Sequence, residues 1–107
     1  MLELNKENFF ENIEKSPLPV VVDLWGPQCV PCLALMPDVE KLAAEYEGKA
    51  IFGKINVTEN RRLCISLKVM SVPTFLFYKK GELQSRLSAD EVTLEAIQEH
   101  AAKLIAG

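Results

Sequence analysis

The chain has 107 residues, of which 49% are hydrophobic, and a formal net charge of −3. This length suits one domain with its own apolar core, so we expect a single domain over residues 1–107. The scattered basic residues argue against nucleic-acid binding, and the absence of a long apolar run or a leader-like N-terminus argues against membrane insertion or secretion, so we expect a soluble cytoplasmic protein.

The first third of the chain predicts a short edge strand, a helix and a buried strand. Leu2 to Leu4 could form the edge strand, and Asn5 is placed to cap a helix that runs to about Glu14. The apolar face of this helix is expected to carry Phe9, Phe10 and Ile13. Val20 to Trp25 is apolar except at Asp23, which is typical of a central strand covered on both faces.

Two cysteines three residues apart, Cys29 and Cys32, follow this strand at the start of a helical pattern that extends to Gly48. Pro37 lies inside the pattern and predicts a kink near residues 33–37. A C-x-x-C in this position indicates either a working thiol pair or half of a zinc site. Because the chain has only one further cysteine and one histidine, we predict redox chemistry and no metal.

The second half of the chain predicts three strands and two helices. These are a strand from Ala50 to Val57, a helix from Glu59 to about Leu67, strands from Thr74 to Tyr78 and from Leu83 to Leu87 joined by a turn at Gly81, and a final helix opened by a capping box at Ser88 and Glu91. The βαβαββα order indicates one mixed sheet with helices on both faces, an α/β architecture.

The chain resembles the thioredoxin family over essentially its whole length. The likeness is carried by the strand ending Asp23-Leu24-Trp25, the C-x-P-C of Cys29 to Cys32, and then Pro37, Lys54, Val72-Pro73-Thr74 and Gly81. It implies a thioredoxin fold, with a central mixed β-sheet of about five strands flanked by about four helices. It also implies a monomeric oxidoreductase that reduces disulfide-containing proteins, takes electrons from a thioredoxin reductase and needs no cofactor beyond its redox-active disulfide Cys29–Cys32.

The two cysteines and Asp23 are each assigned a separate role in the predicted reaction. Cys29 at a helix N-terminus is favoured as a thiolate by up to about 2 kcal/mol, so it is assigned as the attacking sulfur and Cys32 as the resolving one. Asp23 should be desolvated, which raises its pKa. Its position alone is equally consistent with a proton acceptor for Cys32 and with a simple partner for Lys54; the resemblance favours proton transfer, with Lys54 tuning it.

The predicted substrate surface surrounds the cysteines. Trp25 could be a core residue or an aromatic wall beside them, and the resemblance favours the wall. The resemblance also implies a cis Val72–Pro73 bond, with the Val72 backbone free to pair with an extended substrate. The remaining expected contact residues carry no charge: Gly26, Pro27, Gln28, Val30, Pro31 and Ser71.

The chain departs from the usual family pattern at several of these positions. Gln28 replaces a tryptophan, Val30 replaces a glycine, Gly26-Pro27 is unusual, and the loop after the second hairpin strand has no glycine. We expect these changes to affect partner choice and redox potential.

Two residues are placed outside the site, and two other functions stay open. Cys64 is expected to be a buried core residue and His100 a surface residue. The alternatives to a reductase are a binding module that docks partners without turnover, and an oxidase or isomerase. The intact C-x-P-C with Asp23 and Pro73 argues against the first, and the lack of a secretory signal argues against the second.

Overall fold

A five-stranded mixed sheet organises the molecule, which a computed structural model describes from Met1 to Gly107. The strands lie in the order β1-β3-β2-β4-β5. In chain order the elements are β1 (Leu2–Glu3), α1 (Phe9–Lys15), β2 (Val20–Trp25), α2 (Val30–Glu45), β3 (Ile51–Asn56), α3 (Arg61–Ser66), β4 (Thr74–Lys79), β5 (Glu82–Ser88) and α4 (Leu94–Ala106). None of the helices combines the length and the apolar composition needed to cross a lipid bilayer.

Strand β2 is the centre of the sheet. It pairs in parallel with β3 and antiparallel with β4, and five of its six residues are buried. An apolar strand of this kind is stable only where both of its faces are covered, because either face left in water would expose valine and leucine side chains. The apolar run in the sequence, broken only at Asp23, therefore predicted its central place correctly.

The two faces of the sheet bury separate apolar cores. The face that includes Val20, Val22 and Leu24 packs with α1 and α3, and the face that includes Val21 packs with α2 and α4. The helix residues buried in the first core are Phe9, Ile13, Leu63 and Cys64. Those buried in the second are Val39, Leu42, Ile97, Ala101 and Leu104. Alternation along β2 thus sends neighbouring residues into different cores.

The hairpin between β4 and β5 is closed by Lys80 and Gly81, which have φ values of 54° and 80°. Two successive positive φ values are the geometry of a tight two-residue turn whose twist matches that of the flanking strands. Glycine adopts this backbone without steric cost, whereas lysine does so at some cost. The predicted turn at Gly81 is confirmed.

The N-terminal helix differs from its prediction in where it begins and in which side chains it buries. Helix α1 starts at Phe9 and its N-cap is Asn8, not the predicted Asn5. The Asn5 side-chain oxygen instead accepts hydrogen bonds from the N–H groups of Glu7 and Asn8, at 2.8 and 3.0 Å, in the turn that precedes the helix. Phe9 is buried, whereas Phe10 is 54% exposed. Adjacent helical residues point about 100° apart, so both rings cannot enter one core.

The predicted capping box is present, but it lies at the start of a different helix. The Ser88 N–H donates to the Glu91 carboxylate at 3.0 Å, but the residues it opens, Ala89–Glu91, form a short 3-10 helix. Helix α4 begins only at Leu94, where the Thr93 hydroxyl accepts from the Ala96 N–H at 3.0 Å. Thr93, and not Ser88, caps α4 because Thr93 directly precedes the apolar stripe of that helix.

The structure revises two further predictions, one for His100 and one for the helix expected from Glu59. His100 does not project freely from the surface: its Nδ1 lies 2.8 Å from the Ser85 hydroxyl and its ring packs 5.1 Å from that of Phe77. The helix predicted from Glu59 is divided into a 3-10 helix over Val57–Glu59 and α3. Helix α2 runs unbroken from Val30 to Glu45 with Pro37 inside it, and the kink stays a prediction.

We expect Gly53→Ala to destabilise the fold by about 1–3 kcal/mol, because the added Cβ overpacks a close approach between β1 and β3. That Cβ would lie 2.9 Å from the Leu4 Cγ and 3.3 Å from the Leu2 carbonyl oxygen. Urea unfolding measures the loss. Gly26→Ala is the matched control, since its Cβ would meet nothing nearer than 3.7 Å. Equal unfolding midpoints for the two variants would contradict the packing argument.

Candidate active site

The two cysteines lie at the junction between β2 and α2. Cys29 is the N-cap of α2 with extended φ and ψ of −87° and 101°, and Cys32 is in the first turn. They form a disulfide. The Cys32 N–H donates a hydrogen bond to the Cys29 sulfur at 3.2 Å, and the Cys29 N–H donates to the Gly26 carbonyl at 3.1 Å. The short loop from Gly26 therefore holds Cys29 over the free amides of the helix.

The two sulfurs are unequal in accessibility. Cys32 is only 3% exposed, whereas Cys29 is half-buried and Val30 beside it is 76% exposed. A bulky disulfide substrate can therefore reach Cys29 and not Cys32. The first turn of α2 contains no acidic residue, so no carboxylate there opposes a negative charge on Cys29. Pro31 follows within this turn, where its missing N–H costs no helical hydrogen bond.

Asp23 lies in β2 with 3% of its surface exposed, in register with Lys54 on β3. Burial raises the pKa of the Asp23 carboxyl to about 7, and the positive charge of Lys54 opposes this shift without overcoming it. The only salt bridges in the protein are the surface pairs Lys15–Glu11 and Lys103–Glu99, so Asp23 and Lys54 do not form a direct ion pair. Near neutral pH this carboxyl can both accept and release a proton.

Trp25 connects the lysine to the exposed part of the site. Its indole is partly exposed, and the Lys54 ammonium lies 5.9 Å from the ring centroid, within the range of a cation–π contact. The indole N–H is buried and has no hydrogen-bond partner. Trp25 is thus neither a fully buried core residue nor a free surface residue. It lies between the outside and the pair formed by buried Asp23 and half-buried Lys54.

The peptide bond between Val72 and Pro73 is cis, as predicted. Pro73 is buried, and its carbonyl accepts a hydrogen bond from the Ala89 N–H at 2.9 Å. The backbone N–H and C=O of Val72 make no hydrogen bond within the chain. An unpaired N–H and C=O beside a strand end can pair with an extended peptide as an added strand would.

The expected contact residues divide by exposure. Pro27, Gln28, Val30, Pro31 and Ser71 are exposed, whereas Gly26 is buried and contributes to the loop rather than the surface. Sequence reasoning missed Met70, which is 90% exposed next to Ser71. An exposed methionine ahead of a buried proline could have suggested it, because methionine adapts to varied apolar partners.

Sequence reasoning also missed a cavity of about 540 Å³ beside Pro73. Residues from α2, the Val72–Pro73 segment and the 3-10 helix at 89–91 line it: Pro31, Ala34, Leu35, Val72, Pro73, Ala89, Asp90 and Val92. Its walls come from segments far apart in the chain, so no local pattern could have marked it. The cavity extends the cysteine site into a groove.

The third cysteine and the remaining acids form no second centre. Cys64 is buried in α3, as expected, and burial raises the pKa of its thiol, which makes it a poorer nucleophile. It lines a small cavity of about 160 Å³ under Met70. No group of three or more His, Cys, Asp or Glu side chains is arranged to hold a metal ion.

Comparison with known proteins places these features in one family. The family model described as Thioredoxin matches residues 1–103. Thioredoxin of Peptoclostridium acidaminophilum is 43% identical over 103 residues, which cover 96% of this chain and 94% of the relative. Thioredoxin of Acetoanaerobium sticklandii is 34% identical over 105 residues, covering 98% and 100% of the two chains. Thioredoxin 2 of Chlorobaculum tepidum is 39% identical over 85 residues, covering 79% and 78%.

Proposed function

The chain belongs to the thioredoxin family and its activity is dithiol–disulfide exchange, from which we propose that it reduces disulfides of other proteins with electrons drawn from a thioredoxin reductase. The observation that carries the proposal is the unequal exposure of the cysteine pair at the start of α2. The Cys29 sulfur would contact the substrate, and the Cys32 sulfur would take part only in the intramolecular step.

The proposed reaction has two exchanges. The Cys29 thiolate attacks one sulfur of the substrate disulfide, so a mixed disulfide forms and the other substrate sulfur leaves as a thiolate that takes a proton from water. Cys32 then loses its proton and attacks the Cys29 sulfur, which releases the second substrate thiol and leaves the Cys29–Cys32 disulfide. Two electrons pass from the protein to the substrate, and the reductase returns them.

Asp23 and Lys54 are proposed to serve the second exchange. A buried carboxyl with a pKa near 7 is suited to take the Cys32 proton and later to return one. Lys54, in register with Asp23 on the neighbouring strand, lowers the cost of the carboxylate and so keeps that pKa from rising further. Asp23 is only 3% exposed, so it would act from the interior rather than on the substrate directly.

The substrate is proposed to bind as an extended segment. The unpaired backbone of Val72 would hydrogen-bond to it, and the exposed side chains of Pro27, Gln28, Val30 and Pro31 would contact residues on either side of its cysteine. Gln28 presents a polar amide where an aromatic ring would offer an apolar surface, so we expect the enzyme to favour substrates without a large apolar residue at that contact.

We expect the protein to accelerate the reduction of insulin disulfides in the presence of NADPH and a thioredoxin reductase. NADPH oxidation and the turbidity of the separated insulin chains measure the two ends of the electron path. Dithiothreitol in place of the reductase is the control for partner mismatch. If the protein accelerated insulin reduction neither with the reductase nor with dithiothreitol, the proposal would be contradicted and a docking role would remain. Faster oxidation of reduced substrates would favour an oxidase.

The protein is also proposed to act as a monomer in the cytoplasm. A reducing activity fits a compartment in which thiols are kept reduced. Light scattering on the purified protein and fractionation of cells that contain it test the two statements.

A further inference from the structure

The groove beside Pro73 contains a single charged residue. Of the eight residues that line it, five are hydrophobic, and only Asp90 carries a charge. The exposed residues around the cysteines are also uncharged, including Pro27, Gln28 and Val30. The Asp90 carboxylate therefore contributes a negative charge to the groove that no opposite charge among the lining residues offsets.

Asp90 is free to interact with a bound molecule. It is exposed, and it takes part in no hydrogen bond or salt bridge within the chain. Its neighbour Glu91, in contrast, is used as a cap for the Ser88 N–H at 3.0 Å. The two acids of this turn thus differ: Glu91 holds the turn together, and Asp90 has no structural partner.

The position of Asp90 is fixed by the backbone on each side of it. The Ala89 N–H donates to the Pro73 carbonyl at 2.9 Å, and the Val92 N–H donates to the Ala89 carbonyl at 3.1 Å. The first bond ties the 3-10 helix directly to the cis proline of the active site. A substrate segment paired with Val72 would therefore pass close to a residue whose backbone is anchored to the active site.

We propose that Asp90 is a specificity-determining residue that selects disulfide substrates with a lysine or arginine close to the cysteine attacked by Cys29. The inference rests on the proposed function, since it assumes that the substrate lies along Val72 and enters the groove. A basic side chain in an otherwise apolar groove gains a charge-assisted contact with Asp90, whereas an acidic one is repelled.

The test is the reduction of a set of short peptide disulfides that differ only in one residue near the cysteine: lysine, glutamine or glutamate, placed in turn at each of the neighbouring positions. Dithiothreitol supplies the electrons, so the result does not depend on the reductase. At the position that faces the groove, we expect kcat/KM for lysine to exceed that for glutamine by about two- to fivefold at low salt, and the preference to fall as salt is added.

Substitutions at Asp90 should then remove or reverse the preference. Asp90→Asn keeps the shape and should equalise the three peptides, and Asp90→Lys should favour glutamate. Glu82→Gln is the matched control, because Glu82 starts β5 at the end opposite Ser88 and its loss should leave the preference intact. The rate of Glu82→Gln with hydroxyethyl disulfide, which is uncharged, should equal that of the wild-type protein.

Two outcomes separate this inference from the proposed function. Equal reduction of all peptides by the wild-type protein, or an unchanged lysine preference in Asp90→Asn, overturns the role of Asp90 while leaving the reductase activity in place. Failure of the wild-type protein to reduce any of the peptides contradicts the proposed function itself.

Discussion

Cys29→Ser is expected to abolish protein-disulfide reduction, because a hydroxyl cannot form the mixed disulfide on which the exchange depends. Cys32→Ser should instead stop the reaction one step later. Cys29 would still attack, but no internal sulfur would displace the product, so the partner should remain bound through Cys29. Non-reducing gels of the Cys32→Ser protein incubated with an oxidised substrate should show this adduct, and dithiothreitol should release it.

Cys64→Ser is the control for the cysteine series. Cys64 is buried in α3 and belongs to neither exchange step, so its variant should reduce insulin at the wild-type rate. The assignment of roles would be overturned if adducts formed on Cys29→Ser rather than on Cys32→Ser. That result would make Cys32, and not Cys29, the attacking residue.

Asp23→Asn is expected to stabilise the fold above pH 7 by about 2–4 kcal/mol, although it removes a proposed catalytic group. Burial raises the pKa of Asp23 to about 7 from an ordinary value of 3.8. A difference of this size corresponds to at most about 4 kcal/mol, and the buried amide of asparagine recovers less than all of it because it also needs hydrogen bonds.

The raised pKa of Asp23 determines how the wild-type free energy of unfolding changes with pH. Well below pH 3.8 the carboxyl is protonated in both the folded and the unfolded chain and adds no penalty. Between about pH 4 and 7 the unfolded chain releases the proton first, so the wild-type free energy of unfolding should fall as the pH rises and then level off. Urea unfolding from pH 4 to 9 measures it, with exposed Asp38→Asn as the control. A difference between wild type and Asp23→Asn that does not change with pH would contradict this account.

The proposed catalytic role of Asp23 is tested with the same variant. If Asp23 takes the Cys32 proton, release of the product from the mixed disulfide should slow in Asp23→Asn. The slowing should be largest near neutral pH, where the wild-type carboxyl is partly ionised and can accept a proton. An unchanged rate from pH 6 to 9 would remove Asp23 from the mechanism. Lys54→Met should give a smaller effect in the same direction.

Most of the fold could be predicted from the sequence because its signals were local. The apolar run of β2, the positive-φ turn at Gly81 and the position of the cysteines each follow from a few adjacent residues. The errors occurred where two local signals competed. Ser88 and Thr93 are both good caps, and only packing of the α4 stripe against the sheet decided that the helix begins after Thr93.

The active site was only partly visible in the sequence. The cysteines, Asp23 and the cis proline follow from the motif and the resemblance, but the groove does not, because Leu35, Pro73 and Val92 meet only in the folded chain. The contact between Lys54 and the Trp25 ring was likewise unpredictable, since it depends on how β3 pairs with β2. The exposure of individual residues was the hardest property to predict. Val30 and Cys32 lie two residues apart in the motif, yet Val30 is exposed and Cys32 is buried.

The two edges of the sheet bear on how the protein behaves at high concentration. One edge is β1, which has only two residues, and the other is β5, whose exposed residues include Glu82 and Gln84. A short edge offers few free amides to a neighbouring strand, and a charged side chain on an edge strand hinders the addition of a further strand. Lateral strand addition, the first step towards fibrils, is therefore disfavoured at both ends. The apolar strands most prone to such pairing, β2 and β4, lie in the interior of the sheet.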